Sequence, residues 1–198
     1  MTLVSRIMKN KNETAAITES VKLSIISAVA ANTDIAEAIS KTIAKALVRM
    51  LGTTGNTGRE VTAITIAVAS AAIGAALQSG CELAPATQGL VVSILRSTRL
   101  IGSEVLDAIT RTAAIAITAA AESEGNLESA ATGLIRGAIQ GANEIGINTE
   151  DAAAAAAAGA LNAVGDVRST AYQTILAAVT KPIDGITVAP KEPAISSN

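Results

Sequence analysis

The chain has no window in which apolar and polar residues alternate strictly, the pattern expected of a half-buried strand. Alanine is abundant, aromatic residues are almost absent, and three of the four prolines lie at or beyond position 182. The remaining proline, Pro85, lies near a predicted helix start, where proline is tolerated. The pattern therefore predicts an all-α fold with minimal β content.

Four glycines divide the middle of the chain at regular intervals. Gly80, Gly102, Gly125 and Gly146 are 22, 23 and 21 residues apart, and an acidic residue follows each within a few positions. Glycine commonly ends a helix in the left-handed conformation, and a carboxylate stabilises the next helix start. Together these signals predict helices over residues 13–31, 34–51, 59–79, 84–101, 104–123, 127–144, 149–164 and 167–180.

The sequence also repeats internally. When residues 60–102 are laid over residues 104–146, an offset of 44, there are 14 identities without a gap, including Gly89 with Gly133. A third copy begins after residue 146, whereas the similarity is weak before residue 58. Each unit contains two predicted helices, so we expect an array of short antiparallel helical hairpins with a repeat of about 44 residues, built from close-packed Ala/Gly-rich helices.

The positions of glycine and proline along the chain suggest four segments. We expect an N-terminal helical hairpin (1–52), a glycine-rich loop (53–59), the helical-repeat domain (60–180) and an extended, proline-containing C-terminal tail (181–198).

Small residues form stripes on several predicted helices. Gly133, Gly137 and Gly141 recur every fourth residue, and the preceding repeat has Gly89, Ser93 and Ser97 at matching positions. Such stripes let helix backbones approach closely, either within a chain or between subunits. The run of seven alanines from Ala152 to Ala158 indicates a helix covered on several sides. The predicted helix-packing and self-association residues are Gly89, Ser93, Ser97, Gly133, Gly137, Gly141, Ala152, Ala156, Gly159 and Ala163.

The composition gives little support for catalysis, metal binding or nucleic-acid binding. The chain has 43 alanines, no histidine and a single cysteine, and it contains none of the common phosphate-binding, nucleophile or zinc-protease motifs. A net charge of −2 and a single tyrosine give no basis for binding nucleic acid. We therefore predict a protein that is not an enzyme, with no cofactor, metal or small-molecule substrate.

Three minor candidates have simpler explanations. The carboxylates of Glu122, Glu124 and Glu128 cluster at a helix junction, but helix-dipole stabilisation accounts for them without a metal. Arg96, Arg99, Arg111 and Arg136 could bind phosphate, although solvated or intersubunit ion pairs explain them better. Cys81 has no histidine or second cysteine to activate it, so a small, buried structural residue is expected.

A membrane association is the main alternative for the apolar segment 61–81, which has 21 uncharged residues. It contains several polar residues and lacks flanking aromatic residues, so a buried core helix is expected. The N-terminus shows no secretory signal pattern, which predicts a cytoplasmic protein, with membrane association as the alternative.

Two phrases, GLIRGAIQGANEIG (133–146) and GALNAVGDV (159–167), followed by KEP (191–193), resemble bacterial proteins built from Ala/Gly-rich helical repeats. The resemblance covers residues 60–193 and implies a helical-repeat fold. It carries over no activity, cofactor or site residue.

These observations predict a structural protein that self-assembles through small-residue helix faces into a homo-oligomer, such as a filament, tube or shell. The alternative is a peripheral membrane or lipid-granule binding module that uses amphipathic helices, including residues 61–77. An adaptor that holds one partner helix in a groove is a third hypothesis.

Overall fold

The structure is a computed structural model that describes residues 3–31, 33–51, 58–97 and 103–189. Within these ranges the chain is all α, as predicted, with an isolated β-bridge between Ile183 and Ile186. The eight described helices are α1 (Leu3–Ala30), α2 (Ile35–Leu51), α3 (Gly58–Gln78), α4 (Leu83–Ser97), α5 (Ser103–Glu122), α6 (Leu127–Ile145), α7 (Thr149–Val164) and α8 (Thr170–Val179).

The helices form two rows. The odd-numbered helices pack side by side in one row, α1 on α3, α3 on α5 and α5 on α7, and the even-numbered helices form the second row in the same way. Consecutive helices are antiparallel, so helices within one row run in the same direction. The α4–α6 pair shows this direction, because Ala84 lies beside Gly133 near both helix starts and Leu95 lies beside Gly141 further along.

Most predicted helix boundaries agree with the structure to within three residues. The main difference is α1, which begins at Leu3 and not at residue 13, because no glycine or proline interrupts the first 30 residues. α8 begins at Thr170 because the Ser169 hydroxyl accepts a hydrogen bond from the Tyr172 N–H and caps the helix. The predicted last turn of the fourth helix, with Gly102, lies outside the described residues.

The prediction that glycines end the helices in the left-handed conformation is confirmed in part. Gly80 and Gly146 have left-handed φ angles of 67° and 76°, as expected of glycines that end helices. At the α5–α6 junction the left-handed residue is Glu124, at φ 53°. A Cβ at the following Gly125 would lie 2.7 Å from Leu83 Cδ1, so a side chain there would displace the Leu83 side chain.

One continuous hydrophobic core joins the two rows. It includes Ile25 and Ile39 from the first hairpin, Leu134 from the middle and Val179 from the last helix, together with many fully buried alanines. The first hairpin, α1 and α2, therefore shares its core with the rest of the chain. Of the predicted loop 53–59, residues 53–57 lie outside the described residues, whereas residues 58 and 59 belong to α3.

The start of the C-terminal segment is not the extended tail that the sequence suggests. Residues 183–186 make a tight turn closed by the Ile183–Ile186 bridge, and Asp184 and Gly185 have positive φ angles of 49° and 81°. Ile183 and Val188 are buried against the core, which holds the turn against the helices. The residues after position 189 lie outside the described part of the chain.

Candidate functional site: helix seams and the outer face of α1

The glycine stripe of α6 faces α4 and lets the two backbones touch. A Cβ added at Gly137 would lie 2.6 Å from the Gln88 carbonyl oxygen and 3.0 Å from Val91 Cβ. At Gly133 it would overlap the Ala84 carbonyl, and at Gly141 it would overlap the Leu95 side chain. No side chain fits at Gly133 or Gly137 without moving the backbone, so the stripe is a contact within the chain.

The same close contact between a glycine and a backbone carbonyl occurs between two other pairs of helices. On α4, a Cβ at Gly89 would lie 2.5 Å from the Ala36 carbonyl oxygen of α2. On α7, a Cβ at Gly159 would overlap the Thr110 carbonyl of α5. We call these three backbone contacts, α2–α4, α4–α6 and α5–α7, the glycine seams. In each seam the glycine lies on the later helix of the pair.

The remaining predicted packing residues also lie inside the chain. Ala152 and Ala156 are fully buried, Ser93 is buried, and Ser97 and Ala163 are half-buried. The hydroxyls of Ser93 and Ser97 donate to carbonyls of their own helix, at 2.6 Å to Leu90 and 2.5 Å to Ser93. The alanine run of α7 is covered on several sides, as predicted, by α5, α6 and α8.

Two threonines reinforce the glycine seams, and the sequence analysis did not identify them. Thr87 on α4 donates to the Ala130 carbonyl of α6 at 2.9 Å. The Thr110 hydroxyl on α5 lies 3.2 Å from the Ala155 carbonyl oxygen of α7 and 2.9 Å from the Leu106 carbonyl oxygen of its own helix. Both hydroxyls therefore lie against a backbone carbonyl of the helix that carries the seam glycine. Threonine is common throughout this sequence, so these two carry no distinguishing signal before the helix rows are known.

A charged cluster links α2, α4 and α6 at their surface. The Arg96 guanidinium on α4 makes two 2.7 Å hydrogen bonds to the Glu144 carboxylate of α6. Its remaining terminal nitrogen donates to Glu37 at 3.0 Å and to Ser40 at 2.9 Å, both on α2. We call these four residues the Arg96 clamp.

The hydrogen bonds of the clamp stabilise the charged forms of its groups. The Arg96 hydrogen bonds, opposed by partial burial, lower the pKa of Glu144 below its ordinary value. The hydrogen bond to Glu144 raises the pKa of Arg96 in turn, so the guanidinium stays charged. The clamp is therefore a fixed ion pair that ties three helices of one row together.

The three carboxylates at the α5–α6 junction do not form a metal site. Glu128 pairs with Lys181 at 2.6 Å. Across the described residues, no three His, Cys, Asp or Glu side chains are grouped so that they could hold a metal ion.

The other minor candidates also have local partners. Arg136 lies 3.8 Å from Asp184, and Arg111 donates to the Asp107 carbonyl of its own helix at 3.3 Å. Arg99 lies outside the described residues. The Cys81 thiol is half-buried and lies 3.8 Å from the Ser79 carbonyl oxygen.

The largest exposed apolar side chains gather on α1 and the adjacent α3. Leu23 is 56% exposed, Ile26 55% and Val29 45% on α1, and Ile66 is 48% exposed on α3. Between the two helices lies an open groove of about 490 Å³, lined by Ile26, Val29, Ala30, Ala75, Lys22, Gln78 and Ser79. We call Leu23, Ile26 and Val29 the α1 apolar face. This face was not predicted, because self-association was expected to use the small-residue stripes and not larger apolar side chains.

From residue 68 onward, most of α3 is part of the core, in agreement with the buried helix predicted for segment 61–81. Val68, Ala72 and Ile73 are fully or almost fully buried. A search of the described helices for one with the length and hydropathy to cross a bilayer finds no candidate.

No family model, no curated protein and no solved structure matches the chain. The resemblance to Ala/Gly-rich helical-repeat proteins stays a prediction.

Proposed function

We propose that this chain is a non-enzymatic structural protein, an array of antiparallel helical hairpins that associates with copies of itself. The repeat of about 44 residues is supported by Gly89 and Gly133, which match at that offset. The two glycines have the same structural role on successive even-numbered helices. Each packs against a backbone carbonyl of the preceding helix in its row.

The observation that carries the proposal is the α1 apolar face, which no described residue of the chain covers. α1 packs against α2 and α3. Its opposite side presents Leu23 and Ile26, each more than half exposed, to solvent. Helical arrays usually end in a polar face, and an uncovered apolar end favours association.

The glycine seams lie between helices of the same chain, which is one of the two roles expected of the small-residue stripes. Gly89, Gly133, Gly137, Gly141 and Gly159 are buried by helices of the same chain, so they assemble the array internally. Contact between subunits then falls to the larger apolar side chains of α1, each of which removes more apolar area from water than an alanine.

The test is light scattering combined with negative-stain imaging of the full chain purified without detergent. We expect a mass that rises with concentration to that of a defined assembly. A mass of one chain at every concentration would refute self-association. Vesicle flotation in the same buffer tests the alternative, a lipid-binding module, which predicts a monomer that floats with the vesicles.

A further inference from the structure

Residues 181–189, which follow α8, fold back along α6, and we call them the strap. Lys181 pairs with Glu128 in the first turn of α6 at 2.6 Å. Asp184 pairs with Arg136 at 3.8 Å, eight residues further along the same helix. Eight residues of an α-helix span about 12 Å, so the two ion pairs hold the strap at points roughly two turns apart.

The strap is held to the helices by side chains. Ile183 and Val188 are buried in the common hydrophobic core, and Ile186 packs against it. The backbone hydrogen bonds of the strap are local, since Ile183 and Ile186 each donate to the carbonyl of the other at 2.9 Å. In the described part of the chain, no backbone hydrogen bond joins residues 182–189 to a helix.

This anchoring is weaker than that of the helices beneath the strap. α6 and α8 each have their own backbone hydrogen bonds and bury several side chains. A segment with few buried apolar side chains opens at a lower free energy than the core elements. The bridge between Ile183 and Ile186 is too short to persist without the helices behind it. The strap is therefore expected to open as one unit while the helices stay folded.

The two ion pairs make closure of the strap depend on ionic strength. Their four charged side chains are between 46% and 63% exposed. Salt screens ion pairs at such exposed positions, and each contributes only a small stabilisation. Ile183 and Val188 carry no charge, so screening leaves their contacts intact. A rise in salt concentration should therefore increase the open fraction without releasing the strap completely.

We infer that the strap is a detachable element of this fold, which opens and closes while the helices stay folded and which opens more often as ionic strength rises. Opening exposes Ile183 and Val188 to solvent together with the apolar side chains that they cover. This inference goes beyond the proposed function and does not depend on self-association.

The experiment measures how fast a buried thiol reacts with iodoacetamide, an uncharged reagent, in the full chain. In a Cys81→Ser background, Val188→Cys places the thiol in the strap, and the matched control Val179→Cys places it at a fully buried position of α8. We expect the thiol at position 188 to react roughly 100-fold faster than the one at position 179, since only the latter requires a helix to unfold. Between low salt and 1 M NaCl, the rate at position 188 should rise about threefold to fivefold, as the loss of two exposed ion pairs implies.

A strap without its ion pairs distinguishes screening from other effects of salt. Adding Lys181→Gln and Arg136→Gln to the Val188→Cys protein removes both pairs, so labelling should be faster at low salt and should no longer depend on salt. Adding Lys41→Gln instead removes a pair with Glu37 on α2 and should leave the labelling rate unchanged. Circular dichroism checks that each variant is folded.

Two results would overturn the inference. Equal labelling rates for Val188→Cys and Val179→Cys would show that the strap does not open separately from the helices. An equal salt dependence with and without the two ion pairs would show that ionic strength does not act through them. Neither result bears on the light-scattering mass, so the proposed function is tested separately.

Discussion

At the scale of single residues, helical glycines in this protein fall into two classes with opposite expected effects on stability. Gly133 packs against a backbone carbonyl, whereas nothing lies within 4 Å of a Cβ added at Gly74 of α3. We expect Gly133→Ala to lower the free energy of unfolding by about 2 kcal/mol, because the backbone must shift. Gly74→Ala should raise it by about 1 kcal/mol through helix propensity.

Urea denaturation followed by circular dichroism measures both variants. An increase in the free energy of unfolding for both variants would show that helix propensity outweighs the close contact at Gly133. Gly137→Leu extends the series and should be more destabilising than Gly133→Ala, since a whole leucine side chain would enter a seam where a Cβ alone would lie 2.6 Å from the Gln88 carbonyl oxygen.

The buried hydroxyl of Thr87 gives a second residue-scale prediction. Thr87→Val keeps the side-chain shape but removes the hydrogen bond to the Ala130 carbonyl, so we expect a loss of about 1 kcal/mol in the free energy of unfolding. Thr118→Val is the control, because this exposed hydroxyl donates only within its own helix, to Ala114. Equal effects in thermal unfolding would mean that the bond between helices contributes nothing.

The sequence predicted the glycines better than their partners. Gly133 and Gly137 stand out in the sequence because the absence of a side chain is itself the signal. Their partners are the carbonyls of Ala84 and Gln88, and a carbonyl has no sequence signature. Whether the stripe faces a helix of the same chain or a second subunit depends on tertiary packing, which the stripe alone does not specify.

At the scale of helices, the Arg96 clamp joins α2, α4 and α6, and its contribution should depend on pH. Because the folded-state pKa of Glu144 lies below the ordinary value of 4.5, its stabilisation is complete above about pH 4.5. The stabilisation is lost as the pH falls through the lower folded-state pKa.

We therefore expect Glu144→Gln to cost about 1 kcal/mol at neutral pH, as suits a partly exposed bidentate pair. The difference from the wild type should shrink as the pH falls below 4.5. Denaturant titrations from neutral to acidic pH measure this. Glu122→Gln, an exposed carboxylate on α5, is the control. A difference that stays constant with pH would contradict the role of the Glu144 charge.

Helix positions were predictable because alanine-rich segments between glycines leave few alternatives to helix. The ends were less predictable where a side chain decides them. Ser169 caps α8 and Glu124 takes the left-handed position at the α5–α6 junction, yet serine and glutamate occur in many other settings. The turn at residues 181–189 was missed because Ile183 and Val188 had to be recognised as core residues in a proline-containing segment.

At the scale of the whole molecule, the pairing of helices two apart in sequence brings together residues roughly 50 positions apart, such as Arg96 and Glu144. The internal repeat of the sequence suggests such an array. It does not specify which face of the first helix is left uncovered. The exposed face of α1 is the side opposite its contacts with α2 and α3, and these contacts have no signature in the sequence.

The central claim is that this chain associates with itself through the α1 apolar face. The most direct test compares the light-scattering mass of the wild type with those of Ile26→Lys and the control Val167→Lys, which alters an exposed apolar residue far along the chain. We predict a mass above the 19.7 kDa of one chain for the wild type and for Val167→Lys, and the mass of a single chain for Ile26→Lys. Equal masses for all three proteins would contradict the claim.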